Sequence, residues 1–258
     1  MSASATPSLH HVLRQGPRAA AWSGLRDPLA AEAVARSGVD LVVLDLQHGG
    51  IDEPDLLPLL QATQPFVPAL VRLRAVDPTQ VTRVLDLGAD GVIVPLVDGP
   101  DGARRAVEAA LYPPAGRRSY GPVRAALRHG ASYRERVADH ALVIAMVETR
   151  AGLEAVEATA AVPGLGGLFV GPADLGLALG LGPQTDGDDP TYLAARRRVV
   201  AAAHAHGLSV GLHGDDPAAA RAALRDGVDW VVVANDLKLL AAGTAQRLHA
   251  VLPERAGG

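Results

Sequence analysis

The chain has 258 residues, enough for one large core, and 48% of them are apolar but only 3% aromatic, so that core must be built from Ala, Val and Leu. The formal net charge is −4 and the arginines are scattered among acidic neighbours, which argues against nucleic acid as a partner and for small molecules. The absence of cysteine excludes disulfides, thiolate nucleophiles and Cys-ligated zinc.

No apolar run is long enough to cross a membrane, and residues 1–11 lack a basic start leading into an apolar segment. A cytoplasmic protein with no membrane partner is therefore expected. The expected domain is a single one over 1–258, with 1–17 loosely ordered.

A short apolar run, a polar break and a longer stretch of helical periodicity recur along the chain, often closed by Gly-Val-Asp or Gly-Ala-Asp. The first run is 19–22, followed by a helix near 29–36, and the second is 41–46, whose continuous Leu-Val-Val-Leu suits a strand covered on both faces. The third, 68–71, ends in Arg72 and precedes a helix from Pro78 to about Leu87; the fourth, 91–94, precedes one near 102–111. Next comes the longest irregular segment, 112–130, of a length that is more often functional than idle.

Runs five and six, 142–147 and 168–170, lead into helices near 152–160 and 192–206. Run seven, 208–212, precedes an Ala-rich helix over 217–226, and run eight, 230–233, leads to Asn235 as an N-cap for a final helix to about Leu252. Eight strands alternating with eight helices predict an α/β fold, a (β/α)8 TIM barrel, with a doubly wound open sheet as the alternative.

In such a barrel the site lies at the C-terminal ends of the strands. Those ends carry Asp45 and His48 after the second strand, Arg72 after the third, Glu148 after the fifth and Asp174 after the sixth. Glu148 and Asp174 can share a hard divalent cation, Arg72 can meet charge developing on an enolate oxygen, and His48, ordinarily titrating near neutrality, is the acid or base. Taken singly, each has a plainer role: a helix cap or surface acid for the carboxylates, a loop residue for His48, an ion pair for Arg72. Asp45 can orient loop backbone, and Asp86, near the end of its helix, reads as a surface acid. Lys238, the only lysine, falls outside the strands, which argues against a Schiff-base aldolase, and no Gly-x-Ser-x-Gly elbow is present.

Leu44-Asp45-Leu46-Gln47-His48-Gly49, Tyr112-Pro113-Pro114-Ala115-Gly116-Arg117-Arg118, Val147-Glu148-Thr149 and Val170-Gly171-Pro172-Ala173-Asp174-Leu175 together resemble the HpcH/HpaI family. These are metal-dependent class II pyruvate aldolases of the 4-hydroxy-2-oxoheptanedioate aldolase type, within the citrate lyase beta-type superfamily. The likeness runs from about Leu25 to Leu240. It implies a barrel of the phosphoenolpyruvate/pyruvate-domain type, His48 as catalytic base, Arg72 as enolate stabiliser, and Glu148 and Asp174 as ligands of Mg2+, Mn2+ or Co2+. It implies that the turn Gly171-Pro172-Ala173-Asp174 binds substrate, with the Ala173 amide on the pyruvate carboxylate. It implies that Asp86 supports the histidine across a subunit boundary, in a homo-oligomer, usually a hexamer, whose C-terminal helix packs on a neighbour. Two positions depart from the pattern. Met146 stands at a substrate-binding position where classical members have glutamine, and Gln47 stands where they have glutamate.

The activity so implied is a lyase that reversibly cleaves 4-hydroxy-2-oxo acids to pyruvate and an aldehyde, with Arg117, Arg118 and Arg124 available for an anionic aldehyde. The alternatives are a pathway-specific carbon–carbon bond-forming or oxaloacetate-decarboxylating enzyme with the same enolate chemistry, and a non-catalytic barrel that binds 2-oxo acids.

Overall fold

The computed structural model describes residues 9–184, 187–214 and 216–252. Eight parallel strands close in sequence order into a barrel: β1 (Arg18–Ser23), β2 (Leu41–Asp45), β3 (Ala69–Arg72), β4 (Gly91–Val94), β5 (Leu142–Val147), β6 (Gly167–Val170), β7 (Ser209–His213) and β8 (Trp230–Asn235). Closure by β8 against β1, with a register shift at Ala20 and Ala21, decides for the barrel over the open sheet. Five strands carry side chains buried at every position, as a parallel strand with helices outside and a packed interior requires.

Both tryptophans and one of the two phenylalanines lie inside the barrel. Trp22, Phe169 and Trp230 pack against one another there at tilted angles, with ring centroids 5.6 Å apart for Trp22 and Phe169 and 5.2 Å for Phe169 and Trp230. Gly211 on β7 makes room for them, since a Cβ there would run into the Trp230 ring. The outer faces of the strands pack on the helices through a separate Ala, Val and Leu cluster. Aspartates cap helix after helix: Asp27, Asp77, Asp189 and Asp216 each accept a first-turn backbone N–H ahead of a proline-led helix.

Three segments differ from the sequence expectation. Within 1–17, residues Leu9–Leu13 form a helix that closes the lower barrel, with Leu13 fully buried and the His10 ring hydrogen-bonded to Gly166 O at 3.1 Å; residues 1–8 lie outside the described residues. The irregular segment 112–130 contains the helix Val123–His129, and the Gly-Pro-Ala-Asp turn opens a further helix, Pro172–Leu179. In the last helix, Asp236–Val251, the only buried residue is Asp236, and Leu237, Leu239, Leu240, Leu248 and Val251 are exposed. Among the described residues no helix is long and apolar enough to cross a membrane.

Candidate active site

A cavity of about 250 Å³ opens at the C-terminal ends of the strands. Trp22, Met146 and Phe169 face it among the apolar residues, and its polar lining comprises Asp45, His48, Arg72, Glu148, Asp174, His213, Asn235 and Lys238. The structure thus brings His48, Arg72, Met146, Glu148, Gly171, Pro172, Ala173 and Asp174 into one space. Roomier depressions of about 570 and 550 Å³ lie on the outer helices and the 112–134 segment, away from the strand ends.

Arg72 is aimed by its neighbour on β2. Register pairs Asp45 with Arg72, and the Asp45 carboxylate accepts from Arg72 Nε at 2.8 Å and Nη2 at 2.6 Å. It also accepts the Trp22 indole N–H at 3.0 Å and the Gln47 amide at 2.9 Å. Burial alone would raise the Asp45 pKa; the Arg72 and Trp22 bonds outweigh it and hold the carboxyl below its ordinary range. The guanidinium lies over the Trp22 ring at 4.7 Å, so this buried cation is fixed by an ion pair, an indole face and two strands. The plain reading of Asp45 as an orienter of loop backbone holds, and it orients Arg72 as well.

Glu148 is buried at the end of β5, and Leu96 N donates to its Oε1 at 2.7 Å. Burial pushes the Glu148 pKa up, and so does the charge of Asp174, against the opposing pull of Leu96 N–H and Arg72. Leu96 holds a left-handed backbone (φ 54), unusual for a branched residue, and its amide is the group that fixes this carboxylate. On the other side, a Cβ at Gly171 would collide with Glu148 Oε2, so a larger residue there would have to displace that carboxylate.

That turn starts the helix Pro172–Leu179 without a side-chain cap, because Gly171 is the N-cap. Pro172 has no N–H, and the amides of Ala173 and Asp174 sit in the first turn, where a helix leaves donors unpaired. They form a ready place for a carboxylate. Asp174 itself stands exposed at the rim.

A buried acid, Glu148, raised further by the charge of an exposed one, Asp174, fits a hard cation, which would relieve the strain on Glu148. No third His, Asp or Glu converges on them among the described residues. A cation held here would keep positions open for water and for chelating substrate oxygens.

The other candidate residues lie elsewhere. Asp86 lies outside the cavity, on the outer groove, where its carboxylate takes Arg118 Nη2 at 2.7 Å; within one chain it does not reach His48. Arg118 is buried, bonded also to Tyr133 Oη at 3.0 Å, and Arg124 is tied to Gln64 Oε1 at 2.7 Å and Leu87 O at 2.9 Å. Arg117 is exposed and pairs with Glu108. None of these three arginines lines the cavity, so within one chain they do not meet a substrate there. Lys238 belongs to the last helix, as read, yet it reaches the cavity.

Sequence reasoning missed His213, the last residue of β7, whose ring stands edge-on to Trp22 at 5.4 Å. The signal available was its position directly after the apolar run at 208–212.

Residues 18–242 match the family model described as HpcH/HpaI aldolase/citrate lyase. The chain belongs to this family. It is 37% identical to a hydroxypyruvate/pyruvate aldolase of Rhizorhabdus wittichii, over 89% of this chain and 92% of that protein. It is 38% identical to a hydroxypyruvate/pyruvate aldolase of Deinococcus radiodurans, over 90% of this chain and 84% of that one. The crystal structure of an HpcH/HpaI aldolase/citrate lyase family protein from Burkholderia cenocepacia superposes with a TM-score of 0.87 at 34% identity, covering 95% of this chain and 99% of that chain. This member of the HpcH/HpaI family is an enzyme, a carbon–carbon lyase of the aldolase type.

Proposed function

We propose that the enzyme reversibly cleaves 4-hydroxy-2-oxo acids to an aldehyde and a pyruvate-type enolate, with a divalent cation held by Glu148 and Asp174. The observation that carries this reading is the convergence in one cavity of two mutually repelling carboxylates, an oriented arginine and a histidine. When bound, the cation would supply Lewis-acid polarisation of the 2-oxo oxygen.

The protein's own groups do the rest. The Ala173 amide at the helix start takes the substrate carboxylate, and Arg72, held by Asp45, faces the 2-oxo oxygen. His48 accepts the proton of the 4-hydroxyl; the C3–C4 bond breaks, its electron pair forms the C2–C3 double bond of the enolate, and the aldehyde leaves. Return of a proton to C3 completes pyruvate. In the synthetic direction the same steps run backwards.

The candidate donors are pyruvate and hydroxypyruvate, both of which appear in the names of the relatives. The polar lining that His213, Asn235 and Lys238 supply at the ends of β7 and β8 and the start of the last helix favours a donor with a C3 hydroxyl.

A homo-oligomer, a hexamer by family resemblance, is part of the same proposal. The apolar residues left exposed on the last helix support its packing on a neighbour, and Asp86 would serve His48 only from another subunit. Pyruvate release from 4-hydroxy-2-oxo acids, followed through lactate dehydrogenase, tests the reading. Asp174→Ala should abolish it while leaving a folded barrel, and retained turnover in that variant contradicts it.

A further inference from the structure

One buried carboxylate joins the last helix to the loop that carries His48. Asp236 opens that helix, and its Oδ2 accepts from Ser23 Oγ at 2.5 Å and from Leu25 N at 3.1 Å. Its Oδ1 accepts from Gly24 N at 3.0 Å and from Leu237 N at 2.8 Å. Four donors from two segments thus converge on one side chain, a task for an acceptor-only group with two oxygens.

Gly24 in turn braces the loop after β2. Gly24 O accepts from Gly50 N at 2.8 Å, and a Cβ at Gly49 would stand 2.8 Å from Gly24 Cα and 2.9 Å from Asp45 O. The two backbones therefore touch, with no room for a side chain between them. His48 is gripped from both sides. Asp45 Oδ1 accepts from Gln47 N at 2.9 Å and, at 3.4 Å, from His48 N, while Gly49 and Gly50 lean on the segment that Asp236 holds.

We propose that Asp236 is a positioning residue for His48, acting through Ser23 and Gly24 on the loop Gln47-His48-Gly49-Gly50. The inference rests on the assignment of His48 as the proton carrier. Without the carboxylate, Gly24 N and Leu25 N lose their acceptor in a buried place and the brace behind Gly49 loosens. A shift of about 1 Å in a reacting group costs about a hundredfold in rate. Glu148, Ala173 and Asp174 sit on β5 and the β6 turn, across the barrel from β1, and keep their geometry.

The test compares Asp236→Ala, Asp236→Asn, Ser23→Ala and His48→Asn with the unaltered enzyme, all loaded with Mn2+, in kcat and KM for cleavage and in pyruvate affinity by titration calorimetry. Asp236→Ala should lower kcat about a hundredfold while KM and pyruvate affinity change less than about twofold. Asp236→Asn, which keeps one acceptor oxygen, should fall in between, and Ser23→Ala should lower kcat about threefold with the same split. An unchanged kcat in Asp236→Ala overturns the inference, as does a parallel loss of kcat and pyruvate affinity. If Asp236→Ala does not fold, an unchanged kcat in both Asp236→Asn and Ser23→Ala overturns it. An active His48→Asn removes the underlying assignment and the inference with it. An inactive His48→Asn beside unaffected Asp236 variants removes the inference alone.

Discussion

Asp45 and Arg72 lie side by side on adjacent strands and form a two-bonded ion pair, 2.8 and 2.6 Å, at the floor of the cavity. The pair turns a flexible arginine into a fixed charge at the cavity, which in the proposed reaction would meet the enolate oxygen. Arg72→Lys keeps the charge but loses the fork that Asp45 grips, so kcat should fall about 10²-fold or more, read as initial rate of pyruvate release at saturating substrate.

The same pair sets a pH dependence of stability. Burial would raise the Asp45 pKa, but Arg72 holds it below its unfolded value, so its contribution is present above the unfolded pKa and is lost as pH falls through the folded one. Breaking one partner of a buried pair costs about 3–5 kcal/mol. Asp45→Asn should therefore lower the melting temperature at neutral pH, and the gap to the unaltered protein should close as pH falls below about 4. A gap that is constant with pH contradicts this.

Glu148 carries the opposite sign. Burial, then the Asp174 charge, raises its pKa, so the metal-free protein loses stability as pH rises from the unfolded to the folded value and keeps that penalty at neutral pH. Glu148→Gln should raise the melting temperature of the chelator-treated protein at neutral pH, with Leu96 N still served by the amide oxygen, and should abolish Mn2+ binding. A lower melting temperature would show that the carboxylate is not under strain.

Gly171→Ala should place its methyl against Glu148 Oε2 and displace that carboxylate. Mn2+ affinity should drop about 10–100-fold with the barrel intact by circular dichroism, since a displaced ligand geometry has costs of that order.

His213 provides a test of donor choice. His213→Leu replaces a hydrogen-bonding wall by an apolar one, so the ratio of kcat/KM for hydroxypyruvate over pyruvate should fall about tenfold. Equal losses for both donors would assign His213 a packing role beside Trp22.

The barrel was legible because each strand is a short apolar run closed by a polar residue, a glycine or a proline, and alternation with helices leaves few other ways to bury both faces. The convergence of His48, Arg72, Glu148 and Asp174 on one cavity was legible for the same reason, as polar residues at or a few positions past the ends of those runs. The lateral pairing of Asp45 with Arg72 was not, because strand register is a property of the closed sheet. Leu96 was hidden because its contribution is a backbone amide, to which the side chain is irrelevant. His213 was overlooked as the apparent end of an apolar run, and Asp236 because an acid at a helix start reads as a capping group. The arginines of 117–124 were misread: their charge suggested a ligand, whereas Arg118 and Arg124 are consumed by Asp86, Tyr133, Gln64 and backbone carbonyls.

The central claim is that Glu148 and Asp174 hold a catalytic divalent cation. It is tested most directly by pyruvate release from a 4-hydroxy-2-oxo acid before chelation, after removal of the chelator with its metal, and after re-addition of Mg2+ or Mn2+. Turnover should disappear on chelation and return with the cation in the unaltered enzyme but not in Asp174→Ala. Turnover that persists at its original rate in the metal-stripped enzyme would contradict it.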